Sequence, residues 1–289
     1  MAARVLPALL KGDGALGWRS VHPYKKWQGA FWRLVSLLEL GADSEPALHE
    51  MLDVVLDWLT ADDRRARVRR VTINGRARWC ATQDGLGLWA ASRLGRASDP
   101  RARYLAEHLV EWQWPDGGWN CDIRPEANHS SFNETHGALR GLAAYDEAVG
   151  AASARRAAVR AADFFLEHRL FRSHRDGRIV HPEIVEIHWP PYWHYDYLVG
   201  LRAVAAVKGL RMPEAADAID VLRKARRPDG TWGPGGHRYW NGPGSPGSNV
   251  EVVDWADVAE SILTDQATDV LRRAGRDPAE ESRSTATSS

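Results

Sequence analysis

Two short stretches of the sequence hold most of the side chains that are able to do chemistry. The first, over 112–136, contains Cys121 and Asp122 directly after Asn120 and before a helix-start signal. The positive end of a helix dipole favours a thiolate and a carboxylate at such a place. With a histidine, these two residues would bind a divalent metal such as zinc, which takes three or four ligands. Cys80 precedes another predicted helix in the same way, so the two thiols either face one cavity or are small core residues.

The second stretch, from His188 to Asp196, holds two histidines, one carboxylate and four aromatic side chains around two consecutive prolines. Asp196 is close enough in sequence to His194 to orient its ring and set its tautomer. This predicts an acid–base pair inside an aromatic box. In the simpler alternative, Asp196 only caps the helix that follows, and the aromatic side chains pack the loop.

Two isolated polar residues are further candidates. His136 shares a helical stripe with Phe132 and Leu139, so it is predicted to face inward. Most histidines in such a position are hydrogen-bonded core residues. Asp84 is predicted at the mouth of a helix, where it is either a site residue or only a turn residue.

The overall composition excludes several classes of partner. The 38 basic and 38 acidic residues give a formal net charge of zero, which argues against a nucleic-acid partner. No apolar run is long enough to span a bilayer, and the run over 5–10 is too short for a signal-peptide core. Two cysteines are too few for a disulfide framework. We therefore expect a cytoplasmic protein without a membrane span, while peripheral membrane association and the oligomeric state stay open.

The elements that must position these stretches are predicted to be helices. Proline begins the second helix of a pair at 46, 100 and 213, where its missing N–H costs nothing. Ser131 and Glu134 have the spacing of a capping box, and Asn74 with Gly75 is typical of a tight hairpin over 64–79. We predict helices over 24–40, 44–59, 82–94, 99–112, 132–149, 153–169, 196–210, 213–226, 250–263 and 265–274.

One turn occurs twice. Pro115-Asp-Gly-Gly-Trp119 returns as Pro228-Asp-Gly-Thr-Trp232, each time after a predicted helix. Proline presets φ, aspartate bonds its own backbone and glycine accepts a positive φ, so both segments are expected to be tight turns. Helix pairs that repeat every forty to sixty residues or so are typical of a helical-repeat array, either an open solenoid or a closed toroid.

These repeats resemble those of the squalene-cyclase and prenyltransferase repeat superfamily, whose Gln-Trp repeats end in Asp-Gly-x-Trp. The segments 113–119 and 228–232 carry this likeness. The segments 26–34, 118–122 and 130–132 look more closely like the short bacterial squalene-cyclase-like proteins.

The resemblance implies an all-α (α/α) toroid of about five helix pairs around a central cavity, with a small β-hairpin insertion. It forms a single domain over 1–276, and a disordered polar tail follows over 277–289. The chain lacks the Asp-x-Asp-Asp proton donor of class II terpene cyclases. Cys121-Asp122 resembles only loosely the spacing of the Asp, Cys and His zinc ligands of protein prenyltransferases.

We expect a terpenoid-cyclase-like enzyme, an isomerase or lyase, that holds a largely apolar isoprenoid or polycyclic substrate. The 14 tryptophans motivate this expectation, because an aromatic face stabilises a developing cation by about 0.5–2 kcal/mol. One alternative is a metal-dependent transferase or lyase that uses Cys121, Asp122 and a histidine. A second is a non-catalytic binder of hydrophobic ligands or a repeat scaffold.

The predicted site residues divide by role. The catalytic candidates are His194, Asp196, Asp122, Cys121, His188, His136 and Asp84. The substrate-binding candidates are Trp27, Lys26, Trp119, Asn120, Trp189, Trp193, Tyr195 and Trp240. The metal candidates are Cys121 and Asp122, with zinc as the ion.

Two further segments have two interpretations each. The arginine run over 64–78 either binds an anionic group at the cavity rim or is a solvated face. The glycine-rich loop over 233–247, with Tyr239, is either a lid or a connector.

Overall fold

Helices form most of the chain. The computed structural model describes residues 5–14, 16–69 and 72–276, without the side chains of 68, 69 and 257. Within these ranges the all-α prediction is confirmed, and no helix is both long and apolar enough to cross a membrane. The polar tail predicted over 277–289 lies outside the described residues. The helices are α1 Leu6–Leu10, α2 Ala30–Glu39, α3 Ala47–Leu59, α4 Asp62–Arg69, α5 Ala81–Arg93, α6 Pro100–Glu111, α7 Phe132–Val149, α8 Ala152–Glu167, α9 Tyr197–Val204, α10 Pro213–Lys224 and α11 Ala256–Arg273.

Helix starts with strong local signals occur where the sequence predicts them. Asp99 accepts a hydrogen bond of 2.9 Å from the backbone N–H of Arg101, and Pro100 is the first helical residue of α6. Helix α7 has the predicted bounds. Helix α6 starts correctly because its proline and its capping aspartate act within the first turn and need no distant partner.

Five predicted elements differ from the structure. The helix predicted over 196–210 ends at Val204. The helix predicted over 24–40 begins only at Ala30, as α2, because residues 24–29 form turns. The two helices predicted over 250–263 and 265–274 are one helix, α11, since no glycine or proline interrupts it. The predicted hairpin is shorter than expected. Residues 62–69 are helical. Among the described residues of this segment, β1 Thr72–Ile73 and β2 Arg76–Ala77 pair in antiparallel register around the Asn74–Gly75 turn.

The helices pack in two rows. In the first row α2, α5, α7, α9 and α11 contact one another in that order. In the second row α3 packs on α2 and α5, α6 on α5 and α7, α8 on α7 and α9, and α10 on α8 and α9. Helices α5 and α7 approach most closely, because a Cβ added at Gly85 or Gly141 would lie 2.2 Å from a backbone oxygen of the other helix.

The repeated turn has the same hydrogen bonds in both copies. Trp119 donates its Nε1–H to the carbonyl of Leu109 at 3.0 Å, and Trp232 donates to the carbonyl of Leu222 at 2.7 Å. The backbone N–H groups of the two tryptophans lie 3.3 and 3.0 Å from the hydroxyl oxygens of threonines on the helices that follow, Thr135 and Thr264 respectively. The units α6–turn–α7 and α10–turn–α11 are therefore copies of one structural repeat, with the tryptophan fixing the turn to the end of the preceding helix.

One buried carboxylate joins four helices of the first row. Glu39, at the end of α2, forms an ion pair with Arg140 of α7 at 2.6 Å and accepts a hydrogen bond from Arg202 of α9 at 2.7 Å. Gln266 of α11 lies 3.5 Å from the same carboxylate. The first row is therefore curved, because α2, its first helix, contacts α9 and α11, its last two helices, through Glu39.

Candidate functional site

The two chemically rich stretches line one large cleft. The cleft has a volume of about 1200 Å³ and lies between the loop that precedes α7, the loop that joins α8 to α9, and Tyr239. Its aromatic wall contains Phe132, Trp193, His194 and Tyr195. A pocket of this size exceeds the range of about 300–1,000 Å³ that is usual for small-molecule sites.

Histidine is the most frequent polar residue type in this cleft, which is also lined by four carboxylates. Five histidines line it: His129, His168, His174, His181 and His194. Four of these five were missed by the sequence reasoning, because no two of the four lie closer than six positions in the chain and none belongs to a motif. Only the fold brings the loop before α7 against the loop after α8.

His194 is part of an aromatic stack. Its ring lies 3.8 Å from the Trp193 ring and 3.3 Å from the Tyr239 ring, measured between centroids. Burial, together with the nearby His188 and Lys26, lowers the pKa of His194 to about 2. The imidazole is therefore neutral at physiological pH and forms part of the aromatic wall.

Asp196 is paired with His188 rather than with His194. The His188 Nδ1 lies 2.8 Å from the Asp196 carboxylate, and both side chains are buried. The chain reverses between Pro191 and His194, whose backbone groups are hydrogen-bonded at 2.8 Å, and this reversal brings His188 opposite Asp196. The same carboxylate caps α9 by accepting from Val199 N–H at 2.9 Å. The predicted capping role is thus present together with a His–Asp pair that the sequence assigned to the wrong histidine.

The second nitrogen of His188 is left free. Its Nε2 is buried without a hydrogen-bond partner in the part of the chain that the structure describes. The His188 ring contacts the rings of His194 and Tyr239, with centroid distances of 6.3 and 4.7 Å. Both of these neighbours line the cleft, so the His188 ring lies next to the aromatic wall without lining the cleft itself.

The loop over 233–247 covers this wall. Tyr239 stacks on His194, and its hydroxyl donates to Glu183 at 2.9 Å. Trp27 donates its Nε1–H to the backbone oxygen of Tyr239 at 3.2 Å, and Lys26 Nζ lies 5.4 Å from the Trp193 ring centroid. The predicted residues Lys26, Trp27, Trp193, His194 and Trp240 meet at a smaller pocket beside this loop.

Cys121 lies beside Cys80 and Glu134. The two sulfurs and a carboxylate oxygen of Glu134 all lie within 4.8 Å of one another, and the three residues are half-buried. The predicted capping box is wrong, because Ser131 makes no side-chain cap and the Glu134 carboxylate accepts from Thr82 N–H at 3.0 Å. The Glu134 carboxylate, which the sequence predicted to cap the start of α7, is therefore bound by the first turn of α5 instead.

Asp122 points away from this cluster. Its carboxylate is partly exposed and receives hydrogen bonds of 2.5–3.0 Å from the Arg124 guanidinium. These bonds lower the pKa of Asp122 to about 2. Asn120 orders the loop, because its amide group binds the backbone of His129 and Asp122. The metal role of Asp122 stays a prediction, although the structure places Glu134 closer to the thiol of Cys121.

The other predicted catalytic residues lie in structural contacts. His136 is buried, its Nε2 lies 3.4 Å from the Trp193 carbonyl, and burial lowers its pKa to about 3. Asp84 is buried against Arg64 at 2.8 Å, and burial raises its pKa. Arg64 is therefore an ion-pair partner of Asp84 rather than a solvated charge.

Several predicted substrate-binding residues are buried in the core. Trp119 holds the repeated turn, Trp240 donates to the carbonyl of Trp189 at 3.0 Å, and Tyr195 donates its hydroxyl to the carbonyl of Leu170 at 2.6 Å. All four of these aromatic side chains are at most 5% exposed. Of this group, Tyr195 also lines the cleft.

Comparison with known proteins identifies no relative. No family model, no curated protein and no solved structure matches this chain. The likeness to the squalene-cyclase-like proteins therefore stays a prediction that rests on the motifs quoted above, and the function must be argued from the site itself.

Proposed function

We propose that this chain is an enzyme, an isomerase or lyase, that binds a largely apolar isoprenoid or polycyclic molecule in the large cleft and moves a proton on it. One observation carries the proposal. The His188–Asp196 pair is buried directly behind the aromatic wall, and its free Nε2 has no partner among the described residues. A buried, unpaired nitrogen is costly, and a histidine that is oriented by a carboxylate is a common acid–base group.

The pair is suited to proton transfer for a geometric reason. The Asp196 carboxylate holds the proton on His188 Nδ1, so Nε2 carries the lone pair that accepts a proton from the substrate. The carboxylate then stabilises the imidazolium that forms. Return of the proton to another atom of the substrate gives an isomerase, and loss of a leaving group gives a lyase. His188 is the proposed catalytic residue, Asp196 is a positioning residue, and the neutral His194 is part of the wall.

Access to His188 requires movement of the loop over 233–247. The Tyr239 ring lies edge-on against His188 and stacks on His194. The loop is largely exposed and glycine-rich, as lids commonly are. We therefore propose that Tyr239 covers the site and that the loop opens to admit the substrate.

We also propose that the first row of helices closes into an (α/α) toroid. Two observations support this arrangement: the matched turns at Trp119 and Trp232, and the contact of Glu39 with helices at the far end of the row. The substrate cleft would then lie at the end of the toroid where α7 and α9 begin.

Ligand identification tests the proposed function. Protein purified without a tag is extracted with organic solvent, and the extract is analysed by mass spectrometry. We expect an isoprenoid or polycyclic molecule to be bound, and to be transformed by the protein. His188→Asn is expected to abolish the transformation, whereas His174→Asn, at an exposed histidine of the same cleft, retains it. A polar ligand, or transformation at an equal rate by the His188 variant, would contradict the proposal.

A further inference from the structure

The cluster of Cys80, Cys121 and Glu134 has no role in the proton transfer described above. Its three side chains come from three separate parts of the fold: the residue before α5, the loop before α7, and the first turn of α7. Their ligand atoms lie within 4.8 Å of one another. Such convergence needs an explanation. Two thiols and a carboxyl that pack together lose contact with water, and without a cation they gain no strong bonds in return.

From this convergence we infer that Cys80, Cys121 and Glu134 form a binding site for a thiophilic divalent metal ion, with zinc as the best fit. Zinc binds cysteine sulfur at about 2.3 Å and carboxylate oxygen at about 2.0–2.2 Å in tetrahedral geometry. These bond lengths place ligand atoms roughly 3.5–3.8 Å apart. The cluster, whose ligand atoms lie within 4.8 Å of one another, is compatible with that spacing.

The loops around the cluster are held by hydrogen bonds that prepare the site. The backbone N–H of Trp79 donates to the Asn120 carbonyl at 3.1 Å, which ties the residue before Cys80 to the residue before Cys121. Thr82 N–H donates to the Glu134 carboxylate at 3.0 Å, which leaves the second carboxylate oxygen available. Metal ligands are typically oriented by such outer contacts.

Charge also favours a cation at this place. Within the described ranges, Glu134 forms no ion pair with a lysine or arginine. Binding of a divalent ion would release the thiol protons to solvent, and two thiolates, one carboxylate and the metal would together carry a net charge of −1.

Three protein ligands leave one tetrahedral position for water or a substrate atom, as in catalytic zinc sites. The three residues are half-buried rather than sealed, so a small ligand is able to reach them. The site is independent of the His188–Asp196 pair, and the inference does not rest on the proposed function.

Metal analysis of wild-type protein and three variants tests the site. Tag-free protein is loaded with Zn²⁺, dialysed, and measured by inductively coupled plasma mass spectrometry. We expect about one zinc per chain in the wild type and in Glu147→Gln, at an exposed carboxylate of α7 outside the cluster. Cys121→Ser and Glu134→Gln should bind at least about 100-fold more weakly, because loss of an outer-shell contact alone costs 10–100-fold. Glutamine keeps an oxygen for Thr82 N–H, and circular dichroism checks that each variant is folded.

Cobalt gives a readout that does not depend on the variants. Wild-type protein reconstituted with Co²⁺ should show sulfur-to-cobalt charge-transfer absorption in the near ultraviolet and the intense visible bands of tetrahedral cobalt. The inference is overturned by wild-type protein that binds neither metal while both thiols react with a thiol reagent, or by a Cys80–Cys121 disulfide in freshly isolated protein. Undiminished zinc binding by Glu134→Gln would also overturn it.

Discussion

Glu39 is predicted to make the stability of the fold depend on pH. Its carboxylate is nearly inaccessible, with a side chain 3% exposed, and it bonds to two arginines of other helices at 2.6 and 2.7 Å. Burial alone would raise the pKa of Glu39, but the charges of Arg140 and Arg202 and their hydrogen bonds lower it from 4.5 to about 2. The change to test is Glu39→Gln, which removes the charge and keeps the shape.

The size of the effect follows from the lowered pKa. A shift of one pKa unit corresponds to about 1.4 kcal/mol, so ionised Glu39 contributes ~3 kcal/mol to the free energy of unfolding. The folded chain binds this proton less readily than the unfolded chain. The contribution is therefore complete above about pH 4.5 and is lost as the pH falls through about 2.

Urea unfolding of wild type and Glu39→Gln between pH 7 and pH 2.5 measures this contribution. The two free energies of unfolding should differ by ~3 kcal/mol at neutral pH and converge as the pH approaches 2.5. Glu147→Gln, at an exposed position of α7, is the matched control and should change stability by less than about 0.5 kcal/mol at every pH. A difference that stays constant with pH, or that is below about 1 kcal/mol at pH 7, would refute the role of Glu39.

Three further predictions concern the repeated turn, a helix cap and the lid. Trp119→Phe and Trp232→Phe each remove a donor from a buried helix-end carbonyl, so each should lower the free energy of unfolding by about 1–3 kcal/mol in urea; an effect at only one of the two turns would contradict their equivalence. Asp99→Ala removes the cap of α6 and should cost about 0.5–2 kcal/mol by the same assay, whereas an unchanged midpoint would show that the cap is dispensable. Tyr239→Ala should expose His188 and speed its modification by diethyl pyrocarbonate, as followed by peptide mass mapping; an unchanged rate would contradict the covering role.

Local signals predicted the parts of the fold that depend on neighbours in sequence. The Asp99–Pro100 start of α6 and the Asn74–Gly75 turn are both present, because each is stabilised within a few residues. The internal repeat was also predicted, since its turns are short and chemically distinctive. In contrast, the predicted split of α11 into two helices was wrong, because no glycine or proline interrupts this segment and a continuous helix has no local cost there.

The site was harder to predict because its contacts are distant in sequence. Ser131 and Glu134 have the spacing of a capping box, yet the Glu134 carboxylate is bound by Thr82, 52 residues away. Asp196 is nearer in sequence to His194, but the reversal of the loop places it against His188. Both errors have one cause: the residue nearest in sequence looked like the partner, but the fold places a residue farther along the chain there, eight positions away for His188 and 52 for Thr82.

Deuterium exchange tests the proposed proton transfer most directly. The molecule extracted from the native protein is incubated in D₂O with wild-type enzyme, with His188→Asn and with Asp196→Asn, in which asparagine retains the α9 cap. Wild-type enzyme should introduce solvent deuterium into the molecule, seen as an increase in mass, His188→Asn should introduce none, and Asp196→Asn should be slow. No deuterium uptake with the wild type, or equal uptake with His188→Asn, would contradict the assignment of His188 as the acid–base residue.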